Sequence, residues 1–290
     1  MFIERDIMNL LWIVWSPSPV IFSAGNFTLL WYGVCFALGL LLAGVYVWRR
    51  FIEFNIEQKY FENLIVFSFL GIFLGARLCH CLCYEPDYFC ARPIEMFLPV
   101  GVDEMGNYYF TGYHGLASHG AVIGLMLVLM IFKWCTKLAI LPIMDWLALA
   151  TPLAGAFIRL GNLMNSEIVG APTDVPWAFI FPTIDLLPRH PAQLYESLFF
   201  VVCFGFGVRL FNLLKYNKVK RGFYLSLMLI LISAFRFCIE FVKEIQVVFE
   251  RDMVLNMGQW LSIPLFVLGV GLMIYTQKYL KDSNFLENNG

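Results

Sequence analysis

Residues 157–170, "FIRLGNLMNSEIVG", carry an arginine, two asparagines and a glutamate to the edge of the apolar run "ILPIMDWLALATPLAGA". If a helix continues past Arg159, then Arg159, Asn162 and either Asn165 or Ser166 share one face. Gly161 and Gly170 let the backbone bend or let a substrate come close. A guanidinium flanked by amides is an anion site, and its planar fork of donors matches a phosphate. Arg236 and Glu240 stand one helical turn apart. That spacing reads as an internal salt bridge or as a carboxylate orienting the arginine toward an anion, and the two readings are compatible. His119, in "GLASHGAVIG", has Gly115 and Gly120 on either side and reads as a structural histidine or a base. His190, in "LPRHPAQLYES", reads as structural or as a head-group contact.

The elements that hold these residues follow from composition. The 290 residues are 60% hydrophobic and 14% charged, which excludes an ordinary soluble domain and a disordered chain and indicates a polytopic membrane protein. A net charge of −1 with no basic stripe argues against a nucleic-acid partner. Crossing about 30 Å of hydrocarbon takes roughly 20 apolar residues. Seven windows qualify: 27–48, 64–84, 118–134, 138–158, 193–214, 222–242 and 258–276. The expected fold is therefore all-α, one integral membrane domain over 1–290 with seven transmembrane helices. An interfacial segment precedes the first span. Lys and Arg gather in alternate loops (Arg49, Arg50 and Lys59; Lys133 and Lys137; Lys215, Lys218, Lys220 and Arg221; Lys278 and Lys281). The amino terminus is then expected outside and the carboxyl terminus in the cytoplasm. The longest outer segment, 85–117, is acidic and is expected to form a small extracytoplasmic arm with a hairpin centred on Gly106 and Asn107.

On this topology Tyr32, Arg77, His119, Arg159, His190, Glu196, Arg236 and Glu240 all fall toward the outer side. Ionisable groups are costly in hydrocarbon, so each is a functional hypothesis by default. Asp145 is the exception, for which an ion pair with Lys137 or a solvated cytoplasmic position is expected. The anion most available at an outer leaflet is a phospholipid phosphate. A secondary transporter would show repeated halves with matching helix breaks, and none is visible; a noncatalytic lipid-binding protein would need the arginines but not His119. "CHCLC" is a poor metal site, because on a helix Cys79 and Cys83 share one face while Cys81 points nearly opposite.

"RLGNLMNSEIVG" resembles the signature of the prolipoprotein diacylglyceryl transferase family through Arg159, Gly161, Asn162, Asn165, Glu167 and Gly170. The resemblance extends through "LLWYG" with Tyr32, "FLGARL" with Arg77, "SHGAVIG" with His119, "LPRHPAQLYE" with His190 and Glu196, and "AFRFCIEF" with Arg236 and Glu240. The chain departs from the family pattern at Ala117, Ser118, Ala121, Ile158 and Ile232. The resemblance implies transfer of the diacylglyceryl group of phosphatidylglycerol to the lipobox cysteine thiol of a prolipoprotein signal peptide. Glycerol 1-phosphate is released at the outer side of a bacterial inner membrane. It implies His119 as base, Arg159 and Arg236 as stabilisers of the departing phosphate, and Asn162 as a hydrogen-bond donor to the head group. Glu167 would position an arginine or the glycerol, Gly170 would keep the site open, and Tyr32 would contribute a hydroxyl. Arg77, His190, Glu196 and Glu240 join the substrate-binding set, and no metal or organic cofactor is required.

Overall fold

Each expected span is a helix in the computed structural model, which describes residues 12–25, 27–98, 100–102, 108–110, 115, 117–214, 219–245 and 253–279. The spans are α1 (Trp31–Glu53), α2 (Gln58–Cys83), α5 (Ser118–Thr136), α6 (Ile140–Met164), α7 (Ala192–Leu214), α8 (Phe223–Ile239) and α9 (Met257–Tyr279), and two short helices, α3 (Pro86–Ala91) and α4 (Pro93–Phe97), follow α2. A 3₁₀ turn, Glu240–Val242, prolongs α8. Among the described residues seven helices are long and apolar enough to cross a membrane. Helices are the expected solution because every backbone polar group must find a partner within its own segment in lipid. Half of the apolar window of α6 is buried, against 17–22% for the other spans, so α6 is the most enclosed of the seven.

Two sequence expectations shift. Residues 27–30 belong to a hairpin rather than to the first span: β2 (Val20–Ala24) pairs antiparallel with β3 (Phe27–Leu30), and the helix starts at Trp31. Gly25, at φ 58°, supplies the left-handed residue that this tight connection requires. The fourth span also runs further than expected, to Met164, which carries Arg159 and Asn162 into its last turns.

The described residues divide into two compact units, 12–50 with 141–279, and 51–140. In the first, α1 and α6 approach through small residues. A Cβ at Gly39 would stand 2.8 Å from Phe157 Cβ, and one at Gly161 would stand 2.9 Å from the Tyr32 ring. The segment ahead of α1 is held at the end of α6. β1 (Ile13–Val14) pairs parallel with β6 (Phe179–Ile180), which pairs antiparallel with β7 (Pro188–Arg189). The Trp15 indole N–H donates to the Leu163 carbonyl at 2.9 Å. Leu163, Val169, Phe179 and Phe181 form the apolar cluster beneath, with Trp15 and Leu194 packed on it.

In the second unit α2 and α5 meet glycine to glycine. Side chains added at Gly71, Gly75, Gly120 or Gly124 would strike the backbone of the facing helix. The two Gly-x-x-x-Gly repeats therefore set a close helix contact of the kind that lets membrane helices associate by packing. The arm follows α2, and β4 (Val100–Val102) pairs antiparallel with β5 (Tyr108–Phe110). The expected turn residues Gly106 and Asn107 lie outside the described residues, as do Asp103, Glu104, Lys215, Lys218 and Lys281.

Asp145 corrects another expectation. It is fully buried, and its two carboxylate oxygens accept the Gly222 and Leu225 backbone N–H groups, each at 2.7 Å. Asp145 thus caps the first turn of α8 from a neighbouring helix, and its negative charge complements the positive end of the α8 dipole. Capping explains why a carboxylate is tolerated inside an otherwise apolar helix. The substitution Asp145→Ala leaves two buried donors unpaired. We expect a loss of about 2 kcal/mol, read as a lower melting temperature in detergent, with Asp145→Asn intermediate because the amide keeps one acceptor oxygen.

Candidate functional site

The end of α6 and the loop after it carry most of the sequence-predicted residues. Arg159 pairs with Glu196 of α7, Nε to Oε2 at 3.0 Å, and donates through Nη1 to Asn162 Oδ1 at 3.2 Å. Asn162 Nδ2 in turn donates to Glu167 Oε1 at 2.8 Å, and Asn165 Nδ2 reaches the same oxygen at 3.4 Å. Glu167 therefore holds two amides, where the sequence suggested an arginine or the substrate glycerol. The Asn165 amide N–H still bonds Gly161 O at 3.1 Å, so the helical pattern persists just past the last helical residue.

The turn that presents Glu167 is strained. Ser166 and Ile168, on either side, have φ of 54° and 59°. A β-branched residue in the left-handed region is a genuine outlier, and such backbone persists only where the surroundings over-determine it. The surroundings are a small backbone lattice. Gly170 bridges Lys243 and Pro172 bridges Arg189. Gly170 N–H donates to His190 O at 3.0 Å, Ala171 N–H to Val242 O at 2.9 Å, and Glu244 N–H to Val169 O at 3.2 Å. A Cβ on Gly170 would collide with the His190 carbonyl and lie 2.8 Å from Val242 O. Gly170 thus lets three chain segments close on one another, a tighter role than keeping a pocket open.

Arg189 locks this lattice. It is buried, donates to Gly170 O at 3.1 Å and to Glu244 Oε2 at 2.5 Å, and forms a close pair with Asp185. The hydrogen bond from Arg189 holds the Asp185 carboxyl below its usual range, and the same pair raises the arginine further. His190 follows it in sequence and contacts Tyr195, Nδ1 to the hydroxyl oxygen at 3.2 Å. The Trp177 indole donates to that same hydroxyl oxygen at 2.7 Å, so Tyr195 joins the indole and the imidazole through one oxygen. Burial pushes the His190 imidazole below the ordinary histidine value, in keeping with a neutral ring.

The charged chain continues beyond Glu196. Arg236 of α8 lies 3.9 Å from Glu240, with its side chain 42% exposed. The i, i+4 pair read from the sequence is therefore present but loose. Tyr32 lies with its ring against Gly161, within the same unit as the signature. Lys243 and Gln193 were not foreseen. Lys243 Nζ stands 3.0 Å from Glu240 Oε1 and 3.7 Å from Glu196 Oε1. Gln193 Nε2 donates to the Glu167 carbonyl at 2.7 Å. The spacing of Lys243 three residues after Glu240 is a sequence signal that could have found it.

Arg77 and His119 belong to the second unit. Arg77 is buried and donates to the carbonyls of Met96 (3.1 Å), Glu95 (2.6 Å) and Gly115 (3.4 Å), with its guanidinium over the Phe89 ring. Its donors go to the arm, where the sequence suggested a substrate contact. His119 is exposed in the first turn of α5, next to the Gly120 that packs on α2. Cys79 and Cys83 do share one helix face, sulfur to sulfur 4.0 Å, while Cys81 is buried with Phe89 and Met96.

Among the described residues, seven apolar helices and a chain of arginine, lysine and glutamate joining the ends of three of them define a multi-pass membrane protein that stations charge at its helix termini. The sequence pattern of the prolipoprotein diacylglyceryl transferase family matches residues 19–275, and the chain belongs to that family. It is 45% identical over 270 residues to the phosphatidylglycerol–prolipoprotein diacylglyceryl transferase of Bacteroides fragilis, covering 93% of this chain and 97% of that protein. The protein of the same name from Chloroherpeton thalassium is 39% identical over 269 residues, covering 92% and 95%. That from Tolumonas auensis is 38% identical over 267 residues, covering 92% and 98%. The protein is thus a transferase of bacterial membranes.

The strained turn gives a direct test. Ile168→Gly removes a left-handed β-branched residue whose conformation costs about 1–2 kcal/mol. The variant is expected to melt at or above the temperature of the parent in detergent. A clear fall would show that the packing of Ile168 outweighs its backbone strain.

Proposed function

We propose that the protein transfers the diacylglyceryl group of phosphatidylglycerol to the thiol of the lipobox cysteine of a prolipoprotein. The sulfur attacks the glycerol carbon that bears the phosphate, the carbon–oxygen bond breaks, and glycerol 1-phosphate departs with the bonding electrons. A thioether remains on the cysteine. The observation that carries this reading is the Arg159–Glu196 pair. A guanidinium is anchored at 3.0 Å by a carboxylate only 2% exposed, at the end of the most buried span. Relatives over more than nine-tenths of the chain bear the name of this reaction.

The residues divide the work by chemistry. A thiol with pKa about 8.5 is mostly protonated at neutral pH and needs a base. His119 takes that proton, and its exposure in the first turn of α5 suits the role. Arg159 and Arg236 receive the charge that develops on the departing phosphate, as donors prearranged for an anion do. Asn162 donates to a head-group oxygen, and Glu167 keeps Asn162 and Asn165 turned for that purpose. Tyr32, against Gly161, offers its hydroxyl to the same head group. His190 meets the lipid as a neutral ring, Glu196 orients Arg159, Glu240 flanks Arg236, and Arg77 acts through the arm at 85–117.

The distribution of Lys and Arg among the loops supports an amino terminus outside and a carboxyl terminus in the cytoplasm, with the site at the outer face of the inner membrane. The chemistry needs no metal or organic cofactor, and a near-neutral chain without a basic stripe supports partners drawn from lipid and signal peptide rather than nucleic acid.

Incubation of the purified protein with phosphatidylglycerol and a lipobox peptide should add one diacylglyceryl mass to the peptide through a thioether. No product from folded protein would overturn the assignment. His119→Gln should lower turnover by at least about 100-fold, at the scale of losing a general base, while phosphatidylglycerol is still retained. Arg159→Ala should weaken both retention and turnover. Full activity in His119→Gln would remove this histidine from the base role.

A further inference from the structure

Lys243 is among the most buried cations in the described chain, with its side chain 5% exposed. A buried ammonium is costly unless it is paired and hydrogen-bonded. Its backbone is fixed by the bridge to Gly170. Its Nζ lies 3.0 Å from Glu240 Oε1 and 3.7 Å from Glu196 Oε1, so one lysine touches the carboxylate partners of both arginines.

The distances decide which cation holds which carboxylate. Glu240 Oε1 is 3.0 Å from Lys243 but 3.9 Å from Arg236. Coulomb attraction falls with separation, so the nearer ammonium takes the larger share of that charge. The other oxygen, Oε2, accepts Asn256 Nδ2 at 3.1 Å. Gly258 makes room for the carboxylate: a Cβ there would stand 2.5 Å from the Glu240 carboxyl carbon. Glu240 is therefore held by Lys243 and Asn256 and packed against Gly258, with Arg236 the more distant of its two cation partners. On the opposite flank, Glu196 divides itself between Arg159 at 3.0 Å and Lys243 at 3.7 Å. The ion-paired cluster numbers three cations (Arg159, Arg236, Lys243) and two carboxylates (Glu196, Glu240). Without the lysine, two buried carboxylates would face two arginines and neutralise both.

We infer that Lys243 is a positioning residue that holds Glu240, and shares Glu196, so that the Arg236 guanidinium stays free for the phosphate of an anionic phospholipid. The inference rests on the transferase reading above. It assigns the lysine no contact with substrate; it acts through Glu240 and Arg236. Its signature is that the lysine matters only while Glu240 carries a negative charge. A lysine needed merely to hold the Gly170 backbone lattice would matter equally with Glu240 neutral.

The test is a double-mutant cycle on the full-length protein in detergent. It compares the parent, Lys243→Met, Glu240→Gln, the combined variant and Lys243→Arg. Turnover with a lipobox peptide and retention of phosphatidylglycerol by native mass spectrometry are both measured. Lys243→Met should lose about 30-fold in turnover and about tenfold in lipid retention, whereas Lys243→Arg should stay within about threefold, at the scale of coupling between contacting charges. In the Glu240→Gln background, Lys243→Met should cost less than about threefold more. If Lys243→Met alone fails to fold, this last comparison carries the test. Lys243→Met indistinguishable from the parent, or a further loss of about tenfold or more in the Glu240→Gln background, overturns the inference. An inactive parent with the predicted pattern in lipid retention would sink the transferase reading and leave this one standing.

Discussion

Glu196 sets the terms for the unit that contains the signature. A carboxylate 2% exposed near the entrance of a membrane helix is costly unless cations are brought to it. Arg159 arrives from the end of α6 and Lys243 from the segment after α8, so satisfying one buried charge draws three parts of the chain together. A buried ion pair is weak evidence for stability, because hydrophobic residues of the same volume could serve as well. What it supplies is specificity of arrangement, since the arginine and the lysine converge on the same buried carboxylate.

The backbone completes what the charges begin. Gly170 lies against His190 and Val242 with no space for a side chain, and Arg189 ties Gly170, Asp185 and Glu244 into one block. That block accounts for the left-handed Ser166 and Ile168, because the chain must turn sharply between the last helical residue at Met164 and the bridge at Gly170. Glu167, between two strained residues, is thereby held against Asn162 and Asn165. Strain of this sort is characteristic of sites where geometry matters more than stability.

Much of this was legible in the chain. The spans could be read because a hydrocarbon core admits few solutions, and a run of about 20 apolar residues has one obvious use. The grouping of Arg159 with Asn162 followed from helical spacing, as did the pair Arg236 and Glu240. Misreadings arose where partners lie far apart in sequence. Asp145 was expected near Lys137 or in solvent, yet it caps α8 through Gly222 and Leu225, nearly eighty positions away. The hold of Arg77 on the arm could not be read from the chain either, because backbone carbonyls leave no mark in a residue pattern. The paired Gly-x-x-x-Gly repeats of α2 and α5 were visible as letters, but which two helices they join was not.

The sequence alone determined the seven helices, the family and the residues able to carry charge into lipid, since each depends on local composition, helical period or motif order. Tertiary structure alone decided which charge pairs with which. Opposite charges on separate helices can combine in many ways in one dimension, and only the closure around Gly170 and Glu196 selects the pairing in which Lys243 takes Glu240 and leaves Arg236 exposed.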